Sequence, residues 1–332
     1  MRLLVTGGAG FIGSNFVHYW LERHPEDEVV VYDLLTYAGN RANLDAVEDR
    51  ITFVQGDICD HELAEQTLRS AEIDIVVNFA AESHNSLAVV EPTRFFRTNV
   101  LGTQTLLDAA RASGVRRFHH VSTCEVYGDL PLDSNEIFRE DSPYRPRTPY
   151  NASKAGADHA VRAYYETFGL PITITNCSNN YGPFQFPEKM IPLFVTHALD
   201  DLPLPLYAST ENKREWLHVR DHCSAIDLVL ARGRAGETYN VGSGLEASIS
   251  EVADLVLELT EKPPSLKTIV PDRPGHDRRY LLDSSKIRSE LGWSPEHSWP
   301  NSLAETVAWY RENRPWWEPL KDRAPVEETA WT

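Results

Sequence analysis

Arg2-Leu-Leu-Val-Thr-Gly-Gly-Ala-Gly-Phe-Ile-Gly13 opens the chain and decides the fold. The apolar run Leu3-Leu-Val5 reads as a short strand. Gly7, Gly10 and Gly13 follow it and lead into an amphipathic stretch, Ile12–Arg23. Glycines so placed permit a tight turn and bring backbone N–H groups close to an anion at the positive end of a helix. Strand, glycine turn and helix in that order is the context a pyrophosphate-binding loop requires. The alternative is an ordinary glycine-rich turn, and Asp33, a carboxylate at the next strand end about twenty residues on, weighs against it.

Outward from this loop, near-continuous apolar runs recur at Val29–Tyr32, Ile51–Val54, Ile75–Phe79, Phe118–Val121 and Ile172–Thr175. Runs without alternation suggest strands covered on both faces, as in a parallel sheet. Helices are predicted between them over His61–Ser70, Pro92–Ser113 and Pro149–Phe168. This alternation predicts an α/β fold with a doubly wound parallel (Rossmann) sheet. After Asn176 the pattern changes. Prolines crowd 183–205, short strands are expected at Glu215–Val219 and Glu237–Val241, and helices at Ile249–Thr260 and Ser284–Leu291. The expected organisation is a dinucleotide-binding domain over 1–180, taking in 215–240, and a smaller α/β substrate lobe over 181–214 and 241–320. A tail, 321–332, follows. The Trp- and Pro-rich stretch from Trp299 is expected to pack one helix, Ser302–Asn313, and then fray.

The chain has 332 residues, 42% of them hydrophobic, enough for one large or two modest domains. Its net charge of −17 argues against a nucleic-acid-binding surface. Cys59, Cys124, Cys177 and Cys223 form no CxxC pair or metal-type cluster, so reduced thiols in a cytoplasm, and no metal, are expected. No apolar run reaches the ~20 residues of a membrane span.

The glycine loop, with Phe11 and Ile12 inside it, and Asp33 together suit a dinucleotide. A carboxylate on the adenosine ribose diol disfavours a 2′-phosphate, so NAD is expected rather than NADP. Thr36 lies in the turn after Asp33. Asp57 and Ile58 follow the third strand; they either flank the adenine or simply form a turn. Ala80 and Ala81 end the fourth strand with small side chains that leave room for the cofactor. Asn99 either bonds an adjacent backbone or helps relay a proton. Downstream, Tyr150 and Lys154 stand four residues apart, on one face of the predicted helix. An ammonium so placed lowers the phenol pKa, and a phenol so tuned can take a proton from a sugar hydroxyl while a nicotinamide takes the hydride.

With these residues in view, the chain resembles the extended short-chain dehydrogenase/reductase family, and within it the dTDP-glucose 4,6-dehydratases. The likeness runs to about residue 315. It is carried by Asp33-Leu-Leu-Thr-Tyr-Ala-Gly-Asn40, Ala81-Glu-Ser-His84, Glu125-Val-Tyr-Gly-Asp129, Thr175–Pro183, Phe186-Pro-Glu-Lys189 and Asp272–Tyr280. The resemblance implies NAD in the first lobe, a nucleoside-diphosphate hexose in the second, and a homodimer through two helices per subunit. It casts Tyr150 as the base for the sugar 4-hydroxyl, Lys154 as holder of the nicotinamide ribose, Thr123 as partner of the sugar 4-oxygen, and Glu125 as base for the C5 proton. It places Ser83, His84, Asn176, Glu188, Lys189, Arg214, Asn240, Arg273 and His276 in segments that bind the sugar, nucleoside or diphosphate. Arg214 and Arg273 suit bidentate phosphate binding, although surface ion pairs are an equally ordinary use of arginine in so acidic a chain.

Two departures matter. The family usually reads Thr-Asp-Glu where this chain has Thr123-Cys124-Glu125, so the family's acid for the departing C6 hydroxyl is a thiol here. Cys124 is either a weaker acid or a small apolar filler. After His84 the family commonly continues Val-Asp-Arg-Ser; this chain has Asn85-Ser86-Leu87-Ala88. The resemblance therefore implies a dehydratase that oxidises C4, eliminates across C5 and C6 and returns the hydride. The alternatives are a 5,6-dehydratase giving an exocyclic alkene, or an epimerase.

Overall fold

The computed structural model describes residues 1–323. Seven parallel strands form the large sheet. Numbered along the chain they are β1 (Arg2–Thr6), β2 (Glu28–Asp33), β3 (Ile51–Gln55), β4 (Ile75–Asn78), β5 (Arg117–Thr123), β6 (Ile172–Cys177) and β10 (Thr238–Val241). Their order is β10-β6-β5-β4-β1-β2-β3, so the winding reverses between β1 and β4. Alternation explains the unbroken apolar runs. Leu4, Val30 and Val76 point to one face, under α2 (His61–Ser70), α5 (Thr103–Ser113) and α6 (Pro149–Phe168). Leu3, Val5, Val29, Val31 and Val77 point to the other, under α1 (Phe11–Arg23) and α8 (Val219–Arg232). Each face buries its own set of side chains, and burial of Val and Leu at about 1.5–3 kcal/mol apiece holds the three layers together.

The expected helix over Pro92–Ser113 is helical throughout. It is preceded by α3 (Asn85–Val90) and runs as α4 (Pro92–Phe95), a π-helical stretch (Phe96–Gly102) and α5. In the stretch 215–240, α8 and β10 lie with the large sheet. The strand expected at Glu215–Val219 is Lys213–His218, β9, and it pairs elsewhere: parallel to β7 (Asn179–Tyr181) and antiparallel to β11 (Glu246–Ser248). Two further strands, β8 (Leu204–Tyr207) and β12 (Lys267–Val270), pair in parallel.

A second core joins α7 (Met190–Leu199), α9 (Ile249–Thr260) and α11 (Asn301–Glu312) through Phe194, Val256 and Val307. The short helix α10 (Ser285–Leu291) packs against β10 instead. Among the described residues the chain stays packed after α11. A short helix, α12 (Arg314–Trp317), follows, and Trp317 is fully buried in the second core. Trp316 Nε1 donates to Asn43 Oδ1 at 2.8 Å. A large apolar ring with one N–H to satisfy gains more from burial than its segment gains from freedom. Residues 324–332 of the expected tail lie outside the described residues.

Candidate active site

One cleft opens at the carboxyl ends of the large sheet, over the β1/β4 reversal, where open α/β sheets bind ligands. Gly7 has φ +64°, and a Cβ on Gly13 would lie 2.2 Å from the Gly7 carbonyl oxygen. The turn therefore closes only with glycine at both places. Gly10 caps α1 with no side-chain hydrogen bond, leaving the first N–H groups of the helix for a ligand. Asp33 Oδ2 accepts from Ala9 N at 2.9 Å and Oδ1 from Leu35 N at 2.8 Å. Burial raises its pKa while these two N–H groups lower it. Each oxygen keeps a lone pair for a diol. Gly7, Gly10, Phe11, Ile12, Gly13, Asp33, Thr36, Asp57, Ile58, Ala80 and Ala81 all line the cleft. The glycine cradle and the anchored carboxylate fit a dinucleotide with a free adenosine ribose.

Asn99 is not on the cleft wall. It is buried, its Oδ1 accepts from Glu82 N, and its Nδ2 donates to Glu82 O and Ser153 Oγ. The π-helical stretch that carries it turns it inward, where it satisfies the Glu82 backbone and Ser153.

The same cleft is walled at its inner end by Thr123, Glu125, Tyr150 and Lys154. Thr123 closes β5 and its Oγ1 accepts from Glu125 N at 3.2 Å, which turns Glu125 into the cleft. Tyr150 and Lys154 lie on α6, whose N-terminus is capped by Thr148. The expected depression of the phenol is not found. Burial pushes Tyr150 well above its ordinary pKa and Glu125 adds to the rise, while a hydrogen bond with Thr123 opposes it. The Lys154 ammonium is engaged elsewhere: it donates to Val121 O at 2.8 Å and lies 3.3 Å from His120 Nε2. Burial lowers its pKa, and Asp158, one turn further along α6, raises it. Burial also raises Glu125, with Arg273 working against it.

Beside the start of α7, Glu188 and Lys189, with Ser83, line the cleft. Tyr37 OH donates to Glu188 Oε1 at 2.8 Å, and Lys189 Nζ donates to Ser83 O at 2.8 Å. His84 Nε2 lies 3.9 Å from Glu188 Oε2, and burial takes its pKa down to about 3, so it is neutral at physiological pH. Arg273 is buried, its charge acts on Glu125, His84 and His276, and its Nη1 has no hydrogen-bond partner among the described residues. A guanidinium left unpaired in the interior is suited to an anionic ligand. Arg214 differs: its donors go to the carbonyls of Lys213 and Asp277, and it lies over the Tyr280 ring. His276 Nδ1 contacts Asp272 and Asn212.

Asn176 and Asn240 are not brought to the cleft. Asn176 Nδ2 donates to Tyr127 OH at 2.8 Å, and Asn240 Oδ1 accepts from Tyr127 OH at 2.8 Å. Successive strand residues face opposite ways, and Asn176 takes the face under Tyr127 and Tyr144, whereas Cys177, Ser178, Asn179 and Asn180 reach the cleft. The sequence reading missed Asn179, Asn180, Gln185, Tyr37 and Asn85, which also line it. The run Ser178-Asn179-Asn180 immediately beyond a strand end was the available signal.

A family model described as GDP-mannose 4,6 dehydratase matches residues 4–306. The chain belongs to that dehydratase family. A dTDP-glucose 4,6-dehydratase of Mycobacterium tuberculosis is 51% identical over 323 residues, 97% of each chain. The structure of DesIV, a dTDP-glucose 4,6-dehydratase from Streptomyces venezuelae with NAD bound, is 53% identical, has a TM-score of 0.93, and covers 96% of this chain and 100% of its own. A UDP-glucose 4-epimerase from Thermus thermophilus in complex with NAD is 34% identical with a TM-score of 0.88, covering 94% of this chain and 100% of its own.

Within this dehydratase framework, Cys124 stands apart. It is 1% exposed and packs with Val126, Tyr127, Ala155, Tyr280 and Leu282. It does not line the cleft, and burial raises its pKa well above that of a free thiol. The packing is that of an apolar filler.

Proposed function

We propose that the chain is an NAD-dependent dehydratase acting on a nucleoside-diphosphate hexose. The observation that carries this is the convergence of Tyr150, Thr123 and Glu125 on one cleft with the glycine cradle and Asp33. NAD, when bound, supplies the acceptor for a hydride and later its return. Tyr150 takes the proton of the sugar 4-hydroxyl, with Thr123 bonding the same oxygen. Lys154, on the same face of α6, would hold the nicotinamide ribose. With C4 a ketone, the C5 hydrogen is acidic, and Glu125 removes it. Arg273 provides charge for the diphosphate, and Ser83, Glu188 and Lys189 face the sugar and nucleotide. In the absence of a carboxyl group at position 124, the proton that Glu125 takes from C5 is passed to the departing C6 hydroxyl, which leaves as water.

Incubation with dTDP-glucose and a panel of other nucleotide hexoses, read by the alkaline absorbance of a 4-keto-6-deoxy sugar, tests the reading. Tyr150→Phe is expected to lower turnover by ~10²–10⁴-fold, the range for loss of a positioned acid–base group. No product from any hexose nucleotide would refute it. The burial of Cys124 favours a second reading, in which C5 is deprotonated, no hydroxide leaves C6 and the product is a C5 epimer; an exocyclic alkene needs the same loss of the C6 hydroxyl and differs in returning the hydride to C4. Mass spectrometry in deuterated water separates the three: a retained C4 hydroxyl with loss of water marks the alkene, and deuterium at C5 without loss of water marks epimerisation.

The chain is further proposed to form a homodimer. Phe96 and Leu101 between α4 and α5, and Phe168 at the end of α6, are exposed at 44%, 51% and 51%. Light scattering on the purified protein tests this. Among the described residues no helix is long and apolar enough to cross a membrane.

A further inference from the structure

We infer that Asn85 is a positioning residue for Glu125, tying the C5 base to the cap of the helix that carries Tyr150 and Lys154. The inference rests on the dehydratase reading for its kinetic consequence, but not for its structural one. Asn85 Nδ2 donates to Glu125 Oε2 at 3.3 Å. Thr148 Oγ1 donates to Asn85 Oδ1 at 3.3 Å, and Thr148 Oγ1 itself accepts from Asn151 N at 3.1 Å. The orientation of the amide is fixed by elimination. An ionised carboxylate only accepts, so it must face the NH2 end of Asn85, which leaves Oδ1 for the single proton of Thr148. Thr148 is the N-cap of α6. One chain of hydrogen bonds therefore runs from the base at the end of β5, through Asn85 at the start of α3, to the first turn of the catalytic helix.

No other side chain donates a hydrogen bond to the Glu125 carboxylate among the described residues. The charged and titratable groups around it are Tyr150 from α6, Cys177 from β6 and the adjacent Cys124. From the second lobe come Arg214 on β9 and Arg273, Asp277 and Tyr280 on the 272–280 segment. Two arginines favour the carboxylate by charge alone. Asn85 adds direction, since an amide donor fixes which oxygen faces the cleft. It also favours the ionised form, the one that accepts the C5 proton. A residue without a donor at position 85 would leave Glu125 free to rotate and easier to protonate.

The test compares the wild type with Asn85→Ala and Asn85→Asp, using Glu125→Gln to identify the carboxyl signal. The Glu125 pKa is measured directly by ¹³C NMR of labelled glutamate, with no substrate. It should rise by about one unit in Asn85→Ala. It should rise further in Asn85→Asp, where a like charge replaces the donor. With substrate, exchange of the C5 hydrogen should fall ~10-fold or more relative to hydride transfer at C4, and its acidic limb should move to higher pH. A Glu125 pKa unchanged in both variants overturns the inference whatever the substrate proves to be. An unchanged ratio of C5 exchange to C4 oxidation overturns its kinetic part. Failure of the wild type to oxidise any nucleotide hexose would sink the dehydratase reading and leave the NMR result standing by itself.

Discussion

At the scale of single residues, burial governs the chemistry more than spacing does. Four residues separate Tyr150 from Lys154, yet desolvation outweighs that proximity, and the phenol is raised. The same holds for the thiols. Cys124 and Cys223 are buried and raised far out of the reactive range, Cys177 is raised to about 12, and Cys59 to about 11. Thiolate is the nucleophile, so the native protein should resist alkylation. Iodoacetamide at about pH 8, followed by peptide mass spectrometry, is expected to label at most Cys59, the one half-buried thiol, and Cys124 only after unfolding. Rapid labelling of Cys124 in the native protein would show that it is a reactive group rather than packing. Residue facing was the part of the site least legible in sequence. Gly7, Asp33 and Tyr150 stood out because each belongs to a pattern with a fixed geometry, whereas Glu125 was pointed to only by the family resemblance. The facing of Asn176 could not be read, because nothing along the chain says that the cleft takes Cys177 and the residues after it rather than Asn176. Arg214 and Arg273 look alike along the chain, and only tertiary contacts show that one is spent on carbonyls while the other keeps an unpaired donor.

At the scale of elements, the strand–turn–helix at the N-terminus is the tightest constraint. The Gly13 position admits no side chain, since the obstacle is the backbone oxygen of Gly7, which has no freedom to move aside. Gly13→Ala is therefore expected to push α1 away from the end of β1 and open the anion site. The protein should purify with less bound nicotinamide, read by absorbance and mass spectrometry after denaturation, and lose ~10-fold or more in NAD affinity, a cost of at least about 1.4 kcal/mol. Unchanged cofactor content would mean that the helix N-terminus is not the pyrophosphate site. These elements were legible because a parallel sheet buries both strand faces, which leaves unbroken Val and Ile runs. The placement of β9 was not. A strand of six residues says nothing about which sheet it will join, and its partners Asn179–Tyr181 and Glu246–Ser248 are too short to announce themselves.

At the scale of the whole molecule, a buried carboxyl on β9 should make stability fall as pH rises. Glu215 is fully buried on β9. Its Oε1 accepts from Gly244 N at 2.6 Å and its Oε2 from Leu282 N at 3.0 Å. Burial raises its pKa from 4.5 to about 7, with those two N–H groups opposing the rise. In the unfolded chain the group titrates near its ordinary value of ~4.3. Below that pH both states hold the proton and the contribution to stability is complete. Between the two values the unfolded chain releases its proton first, so ionisation favours unfolding, and the contribution is lost as pH climbs through about 7. The full shift corresponds to between about 3 and 4 kcal/mol at ~1.4 kcal/mol per unit. Other carboxylates work the other way. Asp57 and Asp200 are held below their usual range by hydrogen bonds to Cys59 N and Arg97 and to Lys321 and Arg314, in excess of the opposing effect of burial. Raw stability against pH therefore mixes both signs, and the comparison that isolates Glu215 is with Glu215→Gln, which cannot ionise. Urea unfolding of the two proteins at several pH values from about 5 to 8 should show the wild type losing ground to the variant steadily across that window. A difference that stays flat with pH would mean that the Glu215 carboxyl titrates normally inside the fold, and that solvent or a charge reaches it between β9 and the 242–244 turn.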